Sequence, residues 1–188
     1  MGRSFGPRFE SALMYACMLH YGQIRKGNGC PYITHPLAVA ALVAEYGGDE
    51  NQVIAALLHD VLEDCDVTTD ALVERYGQDV ADMVVACSDT TSRPKPPWRP
   101  RKEAYLKRLA TIDGRAKLVI TADKLHNIQS ILHDLERPSV GELIWDRFRA
   151  PKLDQLWYFN AVTAALGDGW QSELLDELRR AVARIPPG

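Results

Sequence analysis

The stretch Leu57-Leu58-His59-Asp60-Val61-Leu62-Glu63-Asp64 constrains this chain more than any other. An apolar helical run ends there in four side chains able to bind a metal or move a proton, packed into six positions. Consecutive helical residues point about 100° apart, so His59 and Asp60 face different ways, and each has a carboxylate one turn on: Glu63 over His59 and Asp64 over Asp60. Two adjacent stripes then converge on one cleft. Burying these acids together is costly unless a cation compensates. The alternative is a charged helix end reaching solvent, but acids at a helix C-terminus oppose the macrodipole. The pattern predicts a metal site.

At 188 residues and 21.0 kDa the chain has room for one sizeable core, so residues 1–188 are expected to form a single domain. A net charge of −3 and a pI near 5.9 provide no general basic field, which argues against a nucleic-acid partner. Cys17, Cys30, Cys65 and Cys87 are too irregularly spaced for a zinc ribbon and read as reduced, mostly structural thiols of a cytoplasmic protein. No apolar run approaches about 20 residues and the start lacks the apolar segment of a signal peptide, so no membrane association is expected. Oligomeric state leaves no mark in the sequence.

Apolar residues at three- and four-residue spacing predict a helix from Pro7 to Tyr21, ended by Gly22. The stretch from Gln23 to Pro36 is rich in turn formers and carries the cations Arg25 and Lys26, so it reads as a structured loop. His35 precedes a proline and is expected just outside a helix that runs from Pro36 to about Tyr46. Asp49 caps the next, to about Leu62, which carries the His-Asp motif. A brief helix ends at Tyr76, another stripe follows through Val80 to Cys87, and Ser88 to Pro100 forms a long proline-rich loop able to fold over the site. Helices then span Arg101 to Ala110, Ala116 to about Leu135, a segment around Ile144-Trp145 and Phe148, Leu156 to Leu166, and Gln171 to Ile185. With no alternating strand pattern, the fold class is all-α.

Asp123 falls among apolar residues on the helix beginning at Ala116 and needs a partner there, either a structural salt bridge or a ligand. Asn127 and Ser130 continue a polar seam down that helix, which suggests a lined pocket. The order His35, His59-Asp60, Asp123 resembles the HD phosphohydrolase superfamily. More specifically, Arg25-Lys26, Pro31-Tyr-Ile-Thr-His35-Pro36, Leu58-His59-Asp60-Val-Leu-Glu63-Asp64 and Ala122-Asp123-Lys-Leu-His126-Asn127 are similar to the hydrolase domain of RelA/SpoT homologues, in particular the small, hydrolase-only members. The resemblance covers roughly Phe9 to Leu132 and implies a single helical HD bundle.

It further implies a guanine-nucleotide substrate: removal of the 3′-diphosphate from guanosine tetra- or pentaphosphate. His35, His59, Asp60 and Asp123 would bind Mn²⁺. The residue types agree, because two imidazoles and two carboxylates suit Mn²⁺ or Fe²⁺, with Zn²⁺ and Co²⁺ as further occupants. Glu63 and Asp64 would handle the water's protons, Glu63 as the main base. By the same resemblance Arg25 and Lys26 would hold guanine and phosphate, Asn127 and Ser130 the nucleoside, Lys95 the phosphates, and Tyr158 the ribose or phosphates, although Tyr158 also suits a core aromatic. A basic residue expected four positions before Tyr158 is Asp154 here, with Arg147, Arg149 and Lys152 as substitutes. His20, His126 and His133 are read as non-ligands, His126 packing away from the Asp123 face. The rival readings are another phosphohydrolase on the same scaffold, acting on the 2′-phosphate of NADPH or on a nucleotide monophosphate, and a non-catalytic nucleotide sensor.

Overall fold

The computed structural model describes residues 4–25, 29–92 and 94–187. Among these residues the regular structure is helical, apart from an isolated antiparallel bridge between Ile24 and Pro31. The helices are α1 (Pro7–Leu19), α2 (Thr34–Glu45), α3 (Glu50–Leu58), α4 (Val61–Asp64), α5 (Thr69–Tyr76), α6 (Gln78–Cys87), α7 (Trp98–Leu109), α8 (Gly114–Glu136), α9 (Lys152–Leu166) and α10 (Glu173–Ala183). A 3₁₀ segment, Gly141–Arg147, joins α8 to α9. No helix among the described residues is long and apolar enough to cross a membrane.

Two helices carry the core. The 23-residue α8, capped by the Asp113 carboxylate, packs against α2, α3, α6, α9 and α10. Its residues Val119, Ile120, Leu125 and Ile128 are almost fully buried, each contributing about 1.5–3 kcal/mol on the usual transfer scale. Helix α3 starts from a reciprocal capping box in which Asp49 and Gln52 bond each other's backbone, and it buries every residue from Gln52 to Leu58. It needs apolar neighbours on all sides, and α1, α2, α6 and α8 supply them. The α2–α3 turn is tight: Gly47 adopts φ 84°, and a Cβ on Gly48 would lie 2.4 Å from Val43 Cγ1.

The structure departs from the sequence reading in four places. Helix α3 stops at Leu58 instead of continuing to Leu62, because His59 Nδ1 donates to the Ala56 carbonyl at 2.8 Å and takes an acceptor that a continuing helix would use. His35 lies inside the first turn of α2, where the proline after it gives up only an N–H that has no partner in a helix. The proline-rich loop ends at Pro97, since Trp98 anchors the start of α7 by packing edge-on against Trp157 and Tyr158 with ring centroids 6.2 and 6.1 Å apart. The segment around Ile144 and Trp145 is 3₁₀, which lets a short connection between α8 and α9 bury both residues.

Candidate metal centre

Three elements converge on one point. Helix α2 brings His35, the break between α3 and α4 brings His59 and Asp60, and the middle of α8 brings Asp123. His35, His59 and Asp123 each offer a ligand atom within 4.8 Å of the others. Asp60 joins them: its Oδ2 lies 2.9 Å from His59 Nε2 and 3.6 Å from His35 Nε2. Asp123 Oδ1 lies 3.1 Å from His35 Nε2 and 3.7 Å from His59 Nε2. Ligand atoms about 2.1 Å from a common ion sit about 3 Å apart in octahedral and about 3.4 Å apart in tetrahedral coordination, so these spacings fit a single divalent ion.

Tautomers sharpen the fit. A carbonyl only accepts, so the bond to Ala56 puts a hydrogen of His59 on Nδ1 and turns Nε2 inward, where it is a lone pair in the neutral ring. Arg25 only donates, and its NH1 lies 3.1 Å from His126 Nδ1, which makes that nitrogen an acceptor. His35 Nδ1, 2.8 Å from the same His126 atom, is then also a donor, the two hydrogens sharing one lone pair, and the neutral His35 ring keeps its own lone pair on Nε2. The two Nε2 atoms then face each other at 3.2 Å between two carboxylates, an arrangement that demands positive charge, supplied by a proton on His59 or by an ion. Burial pulls the pKa of His59 down, but Asp60 and Asp123 override it and raise it to about 9. Burial also opposes ionised Asp123, and Lys124 with the two imidazoles outweighs it, holding the carboxyl well below the usual range.

The cluster opens onto a cavity of about 830 Å³, a volume suited to a nucleotide. Arg25, Lys95, Asn127, Ser130 and Tyr158 all line it, as do Glu63 and Asp64. Arg25 NH2 donates to Asn127 Oδ1 at 2.9 Å, and Asn127 Nδ2 donates to Asp123 Oδ1 at 2.6 Å. Lys95, on the proline-rich loop, reaches Glu63 at 3.3 Å and Asp64 at 3.4 Å, which ties that residue to the acidic pair. Glu63 Oε1 accepts from the Asp89 backbone N–H at 2.8 Å, and burial together with Asp89 and Asp60 lifts the Glu63 pKa above its ordinary value. The Tyr158 hydroxyl is buried without a partner among the described residues. Lys26 lies outside the described residues. Of the residues considered in place of a base at position 154, Arg147 and Arg149 line the cavity, while Lys152 pairs with Glu142 and Asp154 itself with Arg99.

Several residues of the site were not anticipated. Tyr32 donates to Asp60 Oδ2 at 2.5 Å; its place three residues before His35 was the available signal. Asp89 holds Arg101 at 2.5 Å and Lys102 at 2.7 Å, an ion-pair cluster between residues 12 or more apart that no local spacing announces. His126 falls outside the group formed by His35, His59 and Asp123, but it does not point away from the Asp123 side. Three residues after Asp123, it sits only about 60° round the helix, and it bonds His35. His20 is buried against Tyr32, and His133 is exposed.

Comparison with known proteins agrees with this geometry. A guanosine-3′,5′-bis(diphosphate) 3′-pyrophosphohydrolase of Haemophilus influenzae is 40% identical over 124 residues, covering 63% of this chain and 18% of the relative. A protein of the same name from Vibrio cholerae is 42% identical over 118 residues, covering 60% of this chain and 16% of the relative. The chain thus spans less than a fifth of the curated relatives it matches. A solved structure described as a metazoan ortholog of SpoT that hydrolyzes ppGpp superimposes with a TM-score of 0.81 at 26% identity, covering 97% of this chain and 98% of that one. The family model described as HD domain matches residues 12–152, a span that holds all four converging side chains, and the chain belongs to that family.

Proposed function

We propose that this chain, acting as one domain, is a divalent-metal-dependent hydrolase that removes the 3′-diphosphate of guanosine tetra- and pentaphosphate as pyrophosphate. The observation that carries the reading is the approach of the His35 and His59 Nε2 atoms to 3.2 Å between Asp60 and Asp123 at the edge of a nucleotide-sized cavity. The full-length likeness to a metazoan ppGpp hydrolase and the names of the bacterial relatives supply the substrate. His35, His59, Asp60 and Asp123 would hold the ion. Their mixed nitrogen and oxygen set suits Mn²⁺, with Fe²⁺, Co²⁺ and Zn²⁺ as alternatives. A bound ion supplies positive charge to the phosphoryl oxygens and makes nearby water a stronger acid.

The chain's own groups do the rest. Glu63 Oε1 accepts from the Asp89 N–H and Oε2 from Lys95, so Oε2 receives the proton of the attacking water once Lys95 turns to the phosphates, and a carboxylate whose pKa burial has lifted is the better base. The water oxygen bonds to the phosphorus attached to O3′, the P–O3′ bond breaks, and the Glu63–Asp64 pair returns the proton to O3′. Pyrophosphate and a 3′-hydroxyl leave. Arg25 and Lys26 hold the guanine end, Asn127 and Ser130 the nucleoside, and Lys95 and Tyr158 the phosphates.

The test is a panel of nucleotides offered with Mn²⁺ and other divalent ions, read by the phosphate species released. Pyrophosphate from guanosine tetraphosphate supports the reading. Orthophosphate from NADPH or a monophosphate, with guanosine tetraphosphate left intact, overturns the substrate.

A further inference from the structure

Arg25 is joined to two of the four converging side chains at once. Through NH2 it donates to Asn127 Oδ1 at 2.9 Å, and Asn127 in turn donates to Asp123 Oδ1 at 2.6 Å. Through NH1 it meets His126 Nδ1 at 3.1 Å, the nitrogen that accepts the His35 Nδ1 hydrogen at 2.8 Å. The two imidazole rings are only 24° from parallel with centroids 4.9 Å apart. With their nitrogens 2.8 Å apart, they lie edge to edge in nearly one plane, which is the geometry of an in-plane N–H···N bond and not of a face-to-face stack.

The His126 acceptor decides which nitrogen of His35 carries hydrogen. If Nδ1 lost its partner, the Nε2–H tautomer would no longer be disfavoured, and that hydrogen would point at His59 and Asp123. Arg25 fixes this choice in turn, because a guanidinium beside His126 Nδ1 stops that nitrogen from becoming a donor. The same guanidinium turns the Asn127 amide so that its NH₂ faces Asp123.

We infer that Arg25 and His126 are positioning residues for the metal ligands, Arg25 acting through His126 on His35 and through Asn127 on Asp123, before any nucleotide is present. The inference rests on the metal reading of the cluster and assigns Arg25 a task beyond holding the substrate's base.

The probe is Mn²⁺ alone, titrated calorimetrically into the metal-stripped full chain with no nucleotide. Partners of metal-ligating histidines are typically worth about 10–100-fold in metal affinity, so His126→Leu is expected to weaken Mn²⁺ binding by about that factor. His126→Gln, whose amide oxygen can accept from both Arg25 and His35, should recover most of the loss. Arg25→Met, which keeps the stem and removes the donors, should weaken Mn²⁺ binding by about tenfold. The ¹⁵N resonances of His35 in the metal-free protein give a second readout. They should report hydrogen on Nδ1 in the natural chain and a mixture of tautomers in His126→Leu, a change that a general loss of packing does not produce. Unchanged Mn²⁺ affinity in Arg25→Met, with only the KM for nucleotide altered, overturns the inference, as does a His126→Leu variant that binds Mn²⁺ normally. A natural chain that binds no Mn²⁺ or other divalent ion overturns the metal reading itself.

Discussion

Lys124 Nζ lies 2.5 Å from Asp123 Oδ2, a pairing between sequence neighbours whose side chains are only 12% and 10% exposed. Burial works against the Lys124 charge, but the Asp123 carboxylate overrides it and holds the ammonium well above its ordinary pKa. Asp123 therefore neutralises a buried cation with one oxygen and faces the imidazoles with the other.

That double engagement separates two substitutions that look alike on paper. Asp123→Asn should abolish metal binding and also cost about 3–5 kcal/mol of metal-free stability, because it leaves Lys124 unpaired. Asp60→Asn should abolish metal binding at a smaller cost in stability, because the imidazole of His59 can give up its proton when Asp60 is neutralised and Tyr32 can still donate to the amide oxygen. Denaturant unfolding of both metal-free variants decides the matter, and equal losses would show that Lys124 does not depend on Asp123.

Metal uptake should release a proton. His59 titrates near 9 because burial, which lowers its pKa, is outweighed by Asp60 and Asp123, so at neutral pH the imidazole is protonated until an ion replaces that charge. Affinity should rise as pH climbs towards 9 and level off above it, with about one proton released per ion near neutral pH. Calorimetry in two buffers of different ionisation enthalpy reads the proton count, and a value of zero contradicts the assignment.

Glu63→Gln should lower turnover by about 10²–10⁴-fold, the usual worth of a general base, and leave Mn²⁺ affinity nearly unchanged. The Asp64→Asn loss should be smaller, because Asp64 is 42% exposed against 16% for Glu63 and keeps more of its contact with water. Steady-state rates on guanosine tetraphosphate check both, and a Glu63→Gln enzyme as fast as the natural one would remove the proposed base.

Gly48→Ala addresses the scaffold. The added methyl would meet Val43 Cγ1 at 2.4 Å and the Val43 carbonyl oxygen at 2.7 Å, and the backbone atom cannot swing aside as a side chain can. A loss of about 1–3 kcal/mol is expected in thermal or denaturant unfolding. No loss would mean that the α2–α3 turn can open at little cost.

The parts of the site legible in the sequence are those encoded by helical spacing. Asp123, Asn127 and Ser130 follow the three- and four-residue rhythm of α8, and all three line the cavity. The crowding of His59, Asp60, Glu63 and Asp64 announced the cluster, but not the break between His59 and Asp60, which depends on a histidine side chain competing for a backbone carbonyl. The proline after His35 disfavours a helical conformation at that residue in general, yet the first turn of α2 tolerates it, so His35 lies inside the helix. Asp89 with Arg101 and Lys102, and Arg25 with His126, are contacts across long sequence separations. Such partners are chosen by tertiary packing, and no local pattern records them.

Because α8 is continuous from Gly114 to Glu136, the distance from Asp123 to Ser130 is set by helical rise alone, about 10 Å over seven residues. In the proposed reading that helix works as a ruler, with the scissile phosphorus at one mark and the nucleoside at another. A nucleotide whose reactive group sits much closer to its base cannot touch both marks at once, so under that proposal length as well as charge selects the substrate.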